Sequence, residues 1–329
     1  MKKIIVGLFI GVMVVSSLAG CGNKQEGGTD SVPAEETSEG NENEPDGNVE
    51  IGFTADYLSD FMANVVKGVE TAASDNGAKI TIQDAEFDTA KQLQQVENFI
   101  NAGVDAIVIK PVDSDACKPI KEACAEANIP FVVVNSESNA GCDVYVGSDN
   151  AYAGQMQGDF VVENLSDGGK VGILMGELMV QATTDRTEGA KEAMAVNDKI
   201  EVVSEQDAGW MRDAAMKKME NWLNAGMDFG AVIANNDEMA IGAAKILKEN
   251  GVEDVLVCGV DATSDALEMI KSGDMSMTVF QDGYQQGYQG VVSAIKLING
   301  EEIEEYVDVP FEVVTAENVD KYIEIISGQ

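Results

Sequence analysis

The chain has 329 residues with 58 acidic and 21 basic side chains, a formal net charge of −37 at pH 7, and no histidine. An acidic surface aids solubility and offers phosphates no basic face, so a nucleic-acid partner is excluded. Without histidine there is no Ser-His-Asp or Cys-His pair, no histidine-ligated zinc and no histidine general base, which removes most hydrolase mechanisms.

The chain opens on Met1-Lys2-Lys3 and an uncharged apolar run from Ile4 to Leu18. Two lysines ahead of roughly 15 apolar residues read as an export signal over residues 1–20, too short for a permanent membrane span. Leu18-Ala19-Gly20-Cys21 resembles the bacterial lipobox, in which the cysteine is diacylated and becomes the new N-terminus. Two acyl chains give lasting attachment where one is marginal. The alternative is an ordinary secreted protein in which Cys21 is incidental. From 22 to 48 the composition is Gly, Asn, Glu, Ser, Thr and Pro, with eight acidic residues against Lys24. Such a segment buries too little apolar surface to offset its ordering entropy, so residues 21–48 are expected to form a solvated leash behind a lipidated Cys21.

The body, 49–329, is long enough for one large or two medium domains. Apolar runs of strand length fall at Ile51–Thr54, Lys79–Ile82, Ala106–Ile109, Phe131–Val134, Val171–Met175, Ile200–Val203, Ala231–Ala234, Val255–Val260 and Met277–Phe280. Amphipathic stretches separate them: Phe61, Val65, Val69 and Ala72 follow helical spacing, as do Leu93, Val96 and Ile100, and Ile241, Ala244, Lys245 and Leu247. Turn signals such as Asn76-Gly77, Asn250-Gly251 and Asn299-Gly300 punctuate the units. Short continuous apolar strands alternating with helices predict an α/β protein with parallel sheets covered on both faces, and the number of units favours two doubly wound lobes.

Besides Cys21 there are Cys117, Cys124, Cys142 and Cys258. Cys117 and Cys124, seven apart on a predicted helix, are about 10 Å apart along its axis, beyond disulfide reach, and are read as core-facing thiols. The spacing matches no metal motif, and no cofactor is expected.

In doubly wound sheets ligands bind beyond the carboxyl ends of the strands. The residues following the predicted strands are too polar and aromatic for plain turns: Asp56, Tyr57 and Phe61; Lys110; Asn135; Trp210, after Gln206 and Asp207; Asn236; Asp261; and Gln281. Carboxylates and amides take paired hydrogen bonds from vicinal hydroxyls, and an aromatic face stacks on the C–H side of a ring, so the set suits a neutral polyhydroxyl ligand. Other roles are open at several positions. Lys110 is also read as a surface lysine with its stem on apolar surface, Phe61 as a staple of its helix, Trp210 as core, and Asp261 as a helix cap. Asp237 is expected to cap the following helix while Asn236 turns into the cleft, and Arg186 to brace local carboxylates such as Glu188.

Three ordered segments, Ile109-Lys110-Pro111-Val112-Asp113-Ser114-Asp115-Ala116, Asn235-Asn236-Asp237-Glu238-Met239-Ala240-Ile241-Gly242-Ala243 and Cys258-Gly259-Val260-Asp261-Ala262-Thr263, resemble signatures of the ribose-binding-like periplasmic binding proteins, solute receptors of sugar ABC importers. The resemblance runs from Glu50 to about Thr315. It implies two lobes joined by three chain crossings near Asp149, Gln281 and Pro310, with 49–149 plus 282–310 in one lobe and 150–281 plus 311–329 in the other. It implies ligand contacts from Asn236, Asp261 and Gln281, a stacking role for Trp210 as in the xylose-binding branch, and a place over the sugar for Asp56 and Phe61. The chain departs from the ribose pattern at Lys110, at Asn135-Ser136 and at Thr184, which leaves a different pentose, a hexose or a cyclitol such as inositol as the ligand.

The expected function is therefore lipid-anchored capture of a monosaccharide or cyclitol outside the cytoplasm and delivery to an ABC permease and its ATPase, by a monomer whose sole membrane contact is the anchor. A sensory receptor docking on a chemoreceptor or histidine kinase, and a nucleoside or autoinducer receptor, are the alternatives. An enzyme is not expected, since no nucleophile–base pair or metal constellation accompanies the carboxylates.

Overall fold

The computed structural model describes residues 49–328. The expected signal (1–20), Cys21 and the leash (21–48) lie outside the described residues.

Two sheets organise the chain. The first contains β1 (Glu50–Ala55), β2 (Lys79–Asp84), β3 (Ala106–Ile109), β4 (Phe131–Val134), β5 (Val144–Gly147) and β11 (Tyr306–Asp308), all parallel, in the order β11-β5-β4-β3-β1-β2. The second contains β6 (Gly169–Met175), β7 (Ile200–Asp207), β8 (Ala231–Ala234), β9 (Leu256–Cys258), β10 (Met277–Phe280) and β12 (Glu312–Thr315), in the order β12-β10-β9-β8-β6-β7. Only its edge strand β12 runs antiparallel, to β10. The chain leaves the first sheet after β5, returns to it after β10 through α9 (Gly283–Ile298), and passes back to the second between β11 and β12.

Successive side chains of the central strands enter opposite cores, as strands covered on both faces must. Ala106 and Val108 join the core under α1 (Asp60–Asp75) and α9, whereas Ile107 and Ile109 join the core under α2 (Thr89–Ala102) and α3 (Lys118–Ala127). In the second lobe Ile173 and Ile233 face α4 (Asn150–Asn164) and α5 (Gln181–Met194). Leu174, Val232 and Ala234 face the other side, where α6 (Arg212–Asn224), α7 (Asp237–Glu249), α8 (Ser264–Ser272) and α10 (Val319–Gly328) lie.

The nine predicted strands are present: β3, β4, β8 and β10 have the expected ends, and the other five differ by a few residues. β7 continues to Asp207, so Gln206 and Asp207 belong to it, and β9 spans only Leu256–Cys258 because the chain turns away at Gly259 and rejoins through a single bridge between Asp261 and Phe280. Sequence pattern missed β5, β11 and β12. β5 follows β4 through a loop with no intervening helix, and β11 and β12 are edge strands interrupted by acidic residues. The two doubly wound, mainly parallel lobes are as expected, with β12 the one antiparallel edge. On α7 the expected Ile241, Ala244 and Leu247 are buried, but Lys245 is exposed and Ile246 is buried instead. Cys117, Cys124 and Cys258 are buried free thiols.

Candidate functional site

Both sheets have the same central order, 2-1-3-4-5, in which the strand order reverses beside the first strand. The connections on either side of that switch point lead in opposite directions and leave a crevice. In the first sheet the switch lies between β1 and β3, whose next residues are Asp56 and Lys110. In the second it lies between β6 and β8, which lead to Gly176 and to Asn235-Asn236.

The two crevices face one cavity of about 290 Å3. All nine residues singled out in the sequence line it: Asp56, Tyr57, Phe61, Lys110 and Asn135 from the first lobe, Trp210, Asn236 and Asp261 from the second, and Gln281 from a crossing. Lys110 is 7% exposed and its Nζ donates to Asp56 Oδ2, so it is a cleft residue and not a surface lysine. Asp56 Oδ1 accepts the Tyr57 N–H at 2.7 Å. Burial raises the Asp56 carboxyl, and Lys110 opposes that rise. Gln92 on α2 fixes the lysine's backbone: its Nε2 donates to Lys110 O at 2.9 Å and its Oε1 accepts Val112 N–H at 3.0 Å. Phe61 does two things, packing half-buried on the core and lining the cavity.

The opposite wall carries a second buried charge pair. Arg186 Nη1 lies 4.0 Å from Asp261 Oδ1. Burial raises the Asp261 carboxyl well above its ordinary value, with Arg186 opposing and Asp237 adding to the rise, and burial lowers Arg186. The expectation that Arg186 braces Glu188 is wrong. Glu188 pairs with Lys191 at 3.0 Å, and the guanidinium points inward, donating to Asn150 Oδ1 (2.9 Å), Asn235 O (2.7 Å) and Gln281 Oε1 (3.1 Å). The cap of α7 is Asn236 and not Asp237, although Asn236 also lines the cavity as expected. Asn236 caps α7, its Oδ1 accepting Met239 N–H at 3.1 Å while its Nδ2 donates to Trp210 O at 3.2 Å, and Asp237 is fully buried. α8 is capped by Thr263, so Asp261 is free of that duty.

Trp210 is half-buried with φ 65, and its ring edge lies against Gly176, where a Cβ would come within 2.2 Å of Cε2 and Cζ2. Trp210 Nε1 and Gln281 Nε2 are buried with no hydrogen-bond partner among the described residues. At the rim Tyr57 stacks on Phe87, centroids 4.9 Å apart, and Phe87 also lines the cavity. The lobes also touch directly: Ser114 N donates to Met179 O at 3.2 Å and Ser114 Oγ accepts Gln181 N–H at 3.1 Å.

Sequence reasoning missed Arg186, Arg212 and Phe87. A usable signal existed for the first two, because arginine occurs in the chain only at 186 and 212 and both line the cavity. Phe87 follows a strand end, as the residues that were found do. Among the described residues no group of His, Cys, Asp or Glu could hold a metal ion.

A cavity at the switch points of two doubly wound lobes, walled by carboxylates, amides and aromatics, is the arrangement of a solute receptor, and comparison with known proteins agrees. A periplasmic binding protein domain matches residues 51–302. The chain belongs to the periplasmic binding protein family. It is 41% identical to a putative rhizopine-binding protein of Rhizobium meliloti over 83% of this chain and 92% of that one. It is 34% identical to the ribose import binding protein of Bacillus subtilis over 80% and 87%. Among solved structures it is similar to an ABC transporter solute-binding protein of Bacillus halodurans with bound myo-inositol, at 38% identity and TM-score 0.81 over 84% of this chain and 97% of that one. Another is the Actinobacillus succinogenes solute-binding protein with bound D-allose, at 31% identity and TM-score 0.79 over 83% and 99%. As a periplasmic binding protein, the chain acts outside the cytoplasm and is not an enzyme.

Proposed function

We propose that this binding protein captures a monosaccharide or cyclitol in the interlobe cavity and delivers it to an ABC importer. The observation that carries the reading is the pairing of charges: Asp56 with Lys110 on one wall and Asp261 with Arg186 on the other. A carboxylate already neutralised by a cation still has lone pairs for hydroxyl donors, so the walls suit an uncharged guest rich in vicinal hydroxyls. The unpartnered Trp210 Nε1 and Gln281 Nε2 supply donors for its oxygens. Myo-inositol in the Bacillus halodurans relative favours a cyclitol.

Ligand touching both walls has contacts in the closed arrangement that an open one lacks, and binding shifts the lobe equilibrium by that difference. In this reading 49–149 plus 282–310 and 150–281 plus 311–329 move as the two units, and the permease and its ATPase respond to their closure. Cys21 carries the lipid anchor, which keeps the receptor at the membrane. Release of a Cys21→Ser protein from the membrane fraction is expected, and retention there contradicts the anchor.

Calorimetric titration of the Cys21→Ser protein with myo-inositol, D-allose, D-ribose, xylitol and glycerol tests the ligand class. Saturable heat from at least one is expected; none from any of them contradicts it.

A further inference from the structure

Asp237 is the first residue of α7, lies outside the cavity wall and is fully buried. A buried carboxylate is tolerated only when hydrogen-bonded, and three donors meet this one. Thr278 Oγ1 donates to Oδ1 at 2.6 Å; Thr263 donates its N–H at 2.8 Å and its Oγ1 at 3.3 Å to Oδ2. Each hydroxyl then accepts in turn. Thr278 Oγ1 takes the Ala262 N–H and Thr263 Oγ1 the Ala266 N–H, both at 3.4 Å. One carboxylate thus grips the chain directly at Thr263 and, through Thr278, at Ala262.

The gripped segment needs holding. Asp261 and Ala262 are consecutive non-glycine residues with φ 123 and 55, a conformation that residues with a Cβ rarely adopt and that persists only where the surroundings impose it. Room for the imposing group comes from Gly259, where a Cβ would lie 2.1 Å from Asp237 Oδ1. The turn held in this way sends the Asp261 side chain to the cavity wall beside Arg186.

We infer that Asp237 is the positioning residue of the site: through Thr263 and Thr278 it holds the strained turn that aims Asp261 at the ligand. The binding half of this inference rests on the cavity being the ligand site, whereas the structural half does not.

The test compares Asp237→Asn and Thr278→Val with the conservative Thr278→Ser in two measurements. In crystal structures the first two are expected to relax φ at Asp261 and to carry its carboxylate away from Arg186, while Thr278→Ser keeps both. In calorimetry with myo-inositol the first two are expected to weaken binding about tenfold or more, and Thr278→Ser by less than about twofold. An Asp261 that stays at Arg186 in both Asp237→Asn and Thr278→Val overturns the inference, as does wild-type affinity in both. If the unaltered protein gives no heat with myo-inositol or the other sugars and polyols, the ligand reading falls and the position of Asp261 in the crystals decides the inference by itself. If Asp237→Asn does not fold, Thr278→Val, which keeps the threonine shape and removes one anchor, carries the comparison with Thr278→Ser.

Discussion

Arg186 Nη2 donates to Gln281 Oε1 at 3.1 Å and so ties a helix of the second lobe to the chain where it crosses back to the first. The same guanidinium holds Asn150 Oδ1, just past the first crossing, and lies 5.7 Å from the ring of Phe311 beside the third. One buried cation therefore sits beside all three crossings and the cavity carboxylate Asp261. Arg186→Met leaves that carboxylate without its counter-charge and three acceptors without their donor, so a stability loss of about 3 kcal/mol is expected in denaturant unfolding. Arg186→Lys should fall between the two, because an ammonium keeps the charge and loses the planar fork. Wild-type stability in Arg186→Met would show that the network contributes little.

The buried carboxylates set a pH dependence. Burial pushes Asp237 up to about 7 against the opposing bonds from Thr278 and Thr263, with Glu238 nearby adding to the rise. Between the unfolded carboxylate value of about 4 and that raised value, the folded protein holds a proton that the unfolded chain has released. Stability from this group is thus present at low pH and declines as pH rises through the window. Asp237→Asn is expected to flatten the fall in unfolding midpoint between pH 5 and pH 8, and an unchanged or steeper fall contradicts the assignment.

Gly176 gives the Trp210 indole its place. An alanine there puts a Cβ within 2.2 Å of the ring while the backbone is pinned by the bond from Gly176 N to Asn235 Oδ1, so the ring must move. We expect Gly176→Ala to cost about 1–3 kcal/mol and to weaken ligand binding; unchanged affinity would remove Trp210 from the site.

Trp210→Ala should abolish binding and change the melting temperature little, because the side chain is half-buried at the core's edge and its Nε1 has no partner among the described residues. A large fall in melting temperature would assign the ring to the core.

Much of this site is legible in sequence because open α/β sheets end their strands at a common edge. The points where the apolar runs stop mark Asp56, Lys110, Asn135 and Gln281 without knowledge of the sheet order. What is not legible has physical causes. Asn236 and Asp237 are both good cap residues, and which one caps depends on backbone angles that pattern does not encode. Arg186 reaches the cavity from α5 because that helix lies close on α4: a Cβ at Gly154 would come within 2.0 Å of Arg186 O. That approach depends on glycine placement between two helices, not on any strand end. β11 and β12 are only three and four residues long, and Asp308 and Glu312 break the apolar pattern around them.

The thiols give a separate check on the cores. Burial pushes Cys117 up to about 11 and Cys124 and Cys142 to about 12, and Cys258 is raised by burial as well. Thiolate is then scarce at neutral pH, and iodoacetamide at pH 8 is expected to leave all four unmodified in the folded protein. Rapid modification of Cys117, Cys124 or Cys258 would contradict the burial.

A crystal structure of the protein with myo-inositol decides whether this cavity is the ligand site. A ligand held between the walls is expected, with its hydroxyls bonded to Asp56 or Lys110 on one side and to Asn236, Asp261 or Arg186 on the other. A ligand bound to one lobe alone, or bound elsewhere with this cavity empty, would contradict it.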